Sequence, residues 1–362
     1  MEKILTVIVP AYNMEQYLRY CLDSLIEGGP HDGLEVLVIN DGSQDATSAI
    51  AHEYETAYPS IFRAKDKKNG NYGSCVNAGL AVARGKYVKI LDADDSFEAA
   101  HFSRFLAFLS AVDADLILSP FAVVDAQRRV RKIIRYPFKE LEVLDFDPVC
   151  RSEEFKQMQM HAVTYRRDML LAMGYRQTEG ISYTDQEWIF LPMTEVRSLA
   201  CFGQYVYKYL VGRPGQTVDP AVRLKSLSHT MRCALSMAAA YEAVLPRVAG
   251  RSVLEYLQAR LLPLVKETYV YALTHYSAEM RDLLAGFDRE LLQRSPEFYA
   301  YVGAREQSSF CGFCYIAYWR AHQRAGIAWV RAFSRLYLQL LKLRKRLSPA
   351  DGADLALPAN EK

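Results

Sequence analysis

Three carboxylates stand within four residues, Asp92, Asp94 and Asp95, at the end of KYVKILDADD (86–95). Charges this close repel one another and cannot share a dry interior. A positive partner is therefore expected, and a divalent cation held by Asp92 and Asp94, itself gripping a diphosphate, resolves the repulsion. Mg2+ or Mn2+ is the natural choice, because carboxylates are hard oxygen ligands. An isolated D-x-D is more often a solvated acidic turn, so the reading depends on the company it keeps. His161, in the apolar-alternating QMQMHAVTY (157–165), is a second candidate, as a third metal ligand or a donor to phosphate. The plainer reading is a core histidine with its hydrogen bonds satisfied.

These residues need elements to place them. Tyr87, Val88, Ile90 and Leu91 read as a buried strand that delivers the acids at its end. Ile4–Val9 reads as another, stopped by Pro10, and Leu34–Ile39 as a third, ended by Asn40, Asp41, Gly42 and Ser43. Helical spacing of Tyr17, Leu18, Cys21, Leu22 and Leu25 predicts a helix over Met14–Ile26. A second helix is predicted over Asp45–Tyr58, capped by Ser43 or Asp45. A strand at Ile61–Lys65 follows, then the Gly- and Asn-rich Asn69–Gly73, opening a helix from about Ser74 to Ala83. Strands alternating with helices imply an α/β fold with βαβ units and a mostly parallel sheet. Ligands of such sheets bind outside the strands' carboxyl ends. Pro10–Asn13, Asp41–Ser43 and Asp92–Asp95 should therefore line one crevice.

Further strands are predicted at Ala114–Ser119, Phe121–Val124, Gln157–Tyr165 and Val206–Val211. After about Val222 the pattern turns to long helices. The expected organisation is an α/β domain over 1–220, a helical domain over 221–347 and a tail over 348–362, with the boundary near 218–225.

Composition narrows the partners. With 51% hydrophobic residues the 362-residue chain can bury a large core, and a net charge of +2 argues against a dedicated nucleic-acid binder. Among seven cysteines only Cys311 and Cys314 form a C-x-x-C, with no second pair, so buried free thiols are expected rather than a zinc or redox site. No apolar run reaches about 18 residues, and the N-terminus runs straight into a strand. The expectation is a cytoplasmic protein that does not span a membrane.

Taken in order, VIVPAYN (7–13), VINDGSQD (38–45), NGNYGSCVNAGL (69–80) and GKYVKILDADD (85–95) resemble the family 2 glycosyltransferases with the GT-A fold. TDQEW (184–188) and YKYLVGRPGQT (207–217) extend the resemblance, which covers roughly residues 1–220. It implies a Rossmann-like GT-A sheet with flanking helices, and transfer of a sugar from a nucleotide diphosphate to an acceptor hydroxyl with inversion. Pro10, Ala11, Tyr12 and Asn13, with Asp41, match the family's uridine positions. An aspartate at 41 can accept the uracil imide proton, which favours a UDP-sugar; the structural alternative is an Asx-turn in D-G-S. Asn69, Gly70, Gly73 and Asn77 match the segment where backbone amides and a helix dipole meet phosphate or ribose. An arginine frequent just before the family's equivalent of Asn77 is Val76 here, and Lys67 or Lys68 could replace it.

By the same resemblance Asp92 and Ala93 contact the donor and Asp92 and Asp94 hold Mn2+ or Mg2+, which offsets charge on the leaving diphosphate. Asp95 orients that pair or touches the sugar. Asp185 matches the catalytic base, Thr184 standing where an acid often precedes it, with Glu187 as the fallback. The alternative is that Thr184 or Asp185 caps a helix starting near Gln186. Arg213 and Gln216 suit a loop closing over the diphosphate.

Ile327–Leu347 combines one apolar helical face with six Arg or Lys and no acid, which suits a helix lying on an anionic membrane. Packing on the catalytic domain is the equal alternative. Membrane contact would fit a lipid-linked acceptor in bacterial surface polysaccharide or glycolipid assembly. A degenerate GT-A domain that binds nucleotide without catalysis is the rival function. A nucleotidyltransferase is disfavoured, since PAYNMEQYL offers no Gly-rich basic loop for a triphosphate.

Overall fold

The structure, a computed structural model, describes residues 2–28, 32–140, 142–156, 158–212, 226–248, 250–310 and 313–322, with isolated positions 332, 336, 339 and 340 beyond them. The chain divides into two compact units, Met1–Arg213 with Val248–Tyr256, and Pro214–Arg247 with Leu257–Lys362. The expected boundary at 218–225, the tail 348–362, Cys311 and all but four positions of 327–347 lie outside the described residues.

The first unit is built on Leu5–Ala11 (β1), Leu34–Asn40 (β2), Phe62–Asp66 (β3) and Tyr87–Ile90 (β4), parallel neighbours in the order β3-β2-β1-β4. Every residue of β1, β2 and β4 is buried, as expected of parallel strands covered on both faces. Leu18–Asp23 (α1), Thr47–Ala57 (α2) and Asn71–Leu80 (α3) make the connections. The expected cap of α2 at Ser43 or Asp45 is corrected: the N-cap residue is Ala46, which makes no side-chain cap, and Asp45 Oδ1 accepts from the Thr47 amide at 3.0 Å from one residue earlier. The strand prediction that stopped at Pro10 is two residues short. Ile8 accepts from Leu91 N–H on the β4 side, and Pro10 faces that same side beyond the end of β4. Its missing N–H therefore breaks no ladder bond.

Ser96–Phe97 (β5), the helix Ala99–Ala111 (α4), Leu116–Leu118 (β6), Phe121–Val124 (β7), Val130–Ile134 (β8), Val143–Asp145 (β9), Val163–Arg166 (β10), Ser198–Cys201 (β11) and Tyr207–Leu210 (β12) complete the unit. The main sheet continues β4-β10-β6-β11-β9, and β5-β12-β7-β8 form a second sheet. β10 runs antiparallel to both neighbours, so the main sheet is mixed, with four of its seven pairings parallel among the described residues. The predicted strand over 157–165 is corrected. Met160–Ala162 is a 3-10 turn, and the strand begins at Val163. Ala162 N–H donates back to Gln159 O at 3.0 Å and Val163 N–H to Met160 O, closing a turn, and the ladder to Leu116–Leu118 (β6) is taken up only from Val163.

At the amino end of the sheet Glu35 is buried and holds the layers together. Its Oε2 accepts from Thr6 Oγ1 at 2.7 Å and from Arg84 N at 2.8 Å, and Arg63 reaches Oε1 at 3.2 Å. The second unit is helical, with Leu227–Val248, Ser252–Thr274, Ala278–Arg294, Pro296–Gly303 and Tyr315–Ala321 as its main elements, apart from the stretch Val248–Tyr256 that counts with the first. Its buried Asp288 accepts from Tyr269, from Tyr299 at 3.2 Å and from Arg320 at 2.8 Å. Among the described residues no helix is long and apolar enough to cross a membrane.

Replacing Glu35 by Ala leaves the buried Thr6 hydroxyl without its acceptor and the Arg84 amide with only its 3.3 Å contact to Thr6 Oγ1, an expected loss of about 1–3 kcal/mol. Urea unfolding checks this, and an unchanged midpoint would show that the cluster does not hold the layers.

Candidate active site

The carboxyl ends of β1 and β2 are joined by direct bonds. Asp41 N–H donates to Ala11 O at 2.9 Å, Asn13 N–H to Ser43 Oγ at 2.9 Å, and Gln44 N–H to Asn13 Oδ1 at 2.9 Å. Asn13 takes a left-handed φ of 53°, a conformation its short polar side chain tolerates. Pro10–Asn13 and Asp41–Ser43 thus form one rim, with the Tyr12 ring exposed on it. The Asp41 carboxylate is buried, and its Oδ1 accepts from Lys67 Nζ at 2.6 Å and Gly70 N–H at 3.0 Å. Asn69 Nδ2 donates to the Asp41 carbonyl at 3.0 Å. Lys67 is not a solvated lysine: it also reaches Ser74 Oγ at 2.8 Å.

Beyond β4 the acids form a tight turn, Asp95 N–H donating to Asp92 O at 2.9 Å. Tyr72, from α3, donates to Asp92 Oδ1 at 2.8 Å. Tyr207, from β12, accepts from the Asp92 amide at 3.1 Å and donates to Asp95 Oδ2 at 2.6 Å, while Leu210 N–H reaches Asp95 Oδ1 at 2.7 Å. Burial, then the neighbouring Asp94 and Asp92 charges, pushes the Asp95 carboxyl well above the usual range. The Asp94 carbonyl accepts from Arg128 at 2.9 Å, and that guanidinium lies 4.2 Å from the centre of the Tyr20 ring.

His161 completes this end. Ligand atoms of Asp92, Asp95 and His161 lie within 4.8 Å of one another. The imidazole stacks on Tyr209 at 4.2 Å and meets Tyr207 edge-on at 4.7 Å. Burial, then the charge of Lys89, lowers its pKa to about 3, so the ring is neutral. Buried Lys89 donates to the carbonyls of His161 (2.8 Å) and Val163 (3.1 Å), and burial brings its own pKa to about 7. His161 is not the satisfied core histidine of the plainer reading, because its buried Nδ1 has no hydrogen-bond partner. The sequence pairs Asp92 with Asp94; the compact set in the fold is Asp92, Asp95 and His161, brought together by the 3-10 turn.

Asp185 opens the short helix Asp185–Trp188. Tyr183 just before it holds a left-handed φ of 70°, strained for a bulky residue. Thr184 makes no capping bond, and its buried hydroxyl has no partner, so the capping alternative fails for it. Glu187, the fallback base, is buried, with Oε2 accepting from Thr178 N–H and Oε1 from Thr178 Oγ1, both at 2.7 Å. It anchors a loop. Asp185 lies close enough to the acidic turn for one hydroxyl to sense both. Tyr209 is pushed upward by burial first, then by Asp95, Asp92, Asp94 and Asp185.

Asn77 and Gly73 face the same loop. Asn77 Nδ2 donates to Gln177 O and its Oδ1 accepts from Gln177 N–H, both at 2.9 Å. A Cβ on Gly73 would stand 2.3 Å from Thr178 O. Tyr72, Tyr207 and Lys67 are site residues the sequence reading either missed or left open. The spacing of Tyr72 within NGNYGSC was the one local signal. Arg213 and Gln216 lie outside the described residues.

The model of the glycosyl transferase family 2 matches residues 6–171. An uncharacterized glycosyltransferase of Mycoplasma pneumoniae is 30% identical over 217 residues, 59% of this chain and 70% of that protein. The minor teichoic acid biosynthesis protein GgaB of Bacillus subtilis is 28% identical over 144 residues, 39% of this chain but 16% of GgaB. Among solved structures, S. aureus TarS 1–349 in complex with UDP-GlcNAc has a TM-score of 0.65, covering 93% of this chain and 92% of that one at 18% identity, a likeness of fold. The chain belongs to glycosyl transferase family 2. It is a glycosyltransferase with the GT-A fold and a helical C-terminal region.

His161→Phe removes the orphaned nitrogen while keeping the aromatic packing. Thermal unfolding without added metal is expected to show stability equal to wild type or higher by up to about 1 kcal/mol. A clear loss would mean that the imidazole is structural.

Proposed function

We propose that this glycosyltransferase moves a sugar from a UDP-sugar to an acceptor hydroxyl with inversion, using a divalent cation, in cell-surface polysaccharide or glycolipid assembly. The observation that carries the reading is a buried, neutral His161 with an unpartnered Nδ1, one of whose ring nitrogens lies within 4.8 Å of ligand oxygens of Asp92 and Asp95 beyond β4. A polar atom left unsatisfied in a buried site is costly unless something binds it. Asp92 and Asp94 with His161 would hold the cation, and Asp95, already bonded to Tyr207 and Leu210, steadies the turn. One imidazole nitrogen among carboxylate oxygens fits Mn2+ better than Mg2+. Such an ion, when bound, offsets the charge of the departing diphosphate.

On the donor side, Pro10, Ala11, Tyr12, Asn13 and Asp41 form the uridine rim, the exposed Tyr12 ring offering a stacking face. Asn69, Gly70, Asp92 and Ala93 border the diphosphate, with Arg213 as its expected cationic partner. Support for UDP comes from TarS, solved with UDP-GlcNAc and with UDP. Support for surface assembly comes from GgaB, a teichoic acid biosynthesis protein. The acceptor is a saccharide or a lipid-linked one, with basic 327–347 as a peripheral membrane contact.

Asp185 is the base. Its carboxylate takes the acceptor's hydroxyl proton as that oxygen attacks the anomeric carbon from the face opposite the leaving group. A carbon–oxygen bond to the acceptor forms, the bond to the phosphate oxygen breaks with its electron pair, and UDP departs. One displacement inverts the centre.

Calorimetric titration of UDP with and without Mn2+ tests the donor site. Wild type is expected to bind UDP more tightly with Mn2+, and Asp94→Ala or His161→Phe to lose that gain. Metal-independent binding in all three would overturn the metal assignment. Asp185→Asn is expected to keep UDP affinity and to lose transfer by about 10²–10⁴-fold; turnover near wild type would remove Asp185 as the base.

A further inference from the structure

The segment Gln177–Gly180 lies between α3 and the short helix that begins with Asp185, bonded to both. On the α3 side, Asn77 takes the backbone of Gln177 in a two-point grip, donating to its carbonyl and accepting from its amide, each at 2.9 Å. Asn77 Nδ2 also donates to Glu179 Oε1 at 2.9 Å. Gly180 N–H donates to Gly70 O at 2.7 Å, and Gly73 leaves the space that the Thr178 carbonyl occupies. On the other side, Glu187 receives both the amide and the hydroxyl of Thr178 at 2.7 Å. Glu187 stands two residues after Asp185 in the same helical turn.

An unbroken path of bonds therefore runs from Asn77 through Gln177 and Thr178 to Glu187 and the Asp185 turn. Local side-chain bonds also reach the segment, Gln177 Nε2 to Tyr175 Oη and Arg176 to Glu179 Oε1, both at 3.0 Å. It has no strand or helix of its own, and it leads into a strained left-handed Tyr183. We propose that Asn77 is a positioning residue for transfer, which seats the Gln177–Gly180 segment and so sets the place of Asp185, and that it does not contact the donor. The inference rests on Asp185 being the base. Held geometry matters at this scale, because displacing a reacting group by about 1 Å can slow a reaction on the order of 10²-fold.

The test compares Asn77→Ala with wild type and Asp185→Asn. Amide hydrogen exchange over 176–188 is measured with UDP bound, UDP affinity by calorimetry, and turnover by UDP release from a panel of UDP-glucose, UDP-galactose, UDP-GlcNAc and UDP-GalNAc. Expected for Asn77→Ala are faster exchange at Gln177, Thr178 and Gly180, UDP affinity within twofold of wild type, and kcat lowered about 10- to 100-fold with KM for the donor unchanged. Unaltered exchange overturns the proposal, because Asn77 then does not seat the segment. Wild-type kcat despite fast exchange overturns it too, as does a weakening of UDP binding that matches the loss of turnover. Asn77→Asp keeps the acceptor for Gln177 N–H and loses the donor; it is the fallback should Ala fail to fold, with an intermediate loss of kcat expected. Full turnover in Asp185→Asn would remove the base assignment while leaving the exchange result to stand on its own.

Discussion

Four aspartates, 41, 92, 94 and 95, gather at the carboxyl ends of two strands, and three of them are buried. Like charges so placed are tolerable only when each has a partner of its own. Much of the surrounding structure consists of those partners. Asp41 takes Lys67 and the Gly70 amide, Asp92 takes Tyr72, and Asp95 takes Tyr207 and the Leu210 amide. The partners come from different elements: the turn after β3, helix α3 and strand β12. The electrostatic demand of these carboxylates therefore also ties the second sheet to the first.

Helix α3 works in two directions because of this. Its first turn presents Tyr72 to the acidic turn, and Ser74 to Lys67 beside Asp41. One turn further on, Asn77 grips the segment that leads to Asp185. On the proposed reading, the donor rim and the base thus share one rigid support. A helix suits that task better than a loop, since its residues are fixed by their own ladder before any ligand arrives.

The first half of the sheet was legible in the sequence because it is local. Buried parallel strands read as continuous apolar runs, and β1 to β4 follow one another with short connections. The Asp92–Asp95 turn was legible as chemistry for the same reason, since the repulsion is between residues two or three apart. Less legible was whatever depends on distance along the chain. Asp95 is held by Tyr207 and Leu210, more than a hundred residues away. His161 reaches the acids through a 3-10 turn hidden inside an apolar alternation that continued plausibly as a strand. Glu187 was a fair second base by position alone. Only its two bonds to Thr178 show that it secures a loop.

Val76 bears on how charge is balanced in the crevice. Family 2 sequences resembling this one often carry an arginine there, whereas Val76 is wholly buried within α3. Lys67, the obvious substitute, stands 2.6 Å from Asp41 and also bonds Ser74, so its charge is matched at Asp41. A lysine paired that closely lends little net positive potential to a second anion several ångströms away. On the proposed reading, the charge of the leaving diphosphate then falls chiefly on the cation held by Asp92, Asp94 and His161. In that view the metal carries more of the load where no arginine stands, and an imidazole nitrogen at the acidic turn suits its ligand set to Mn2+.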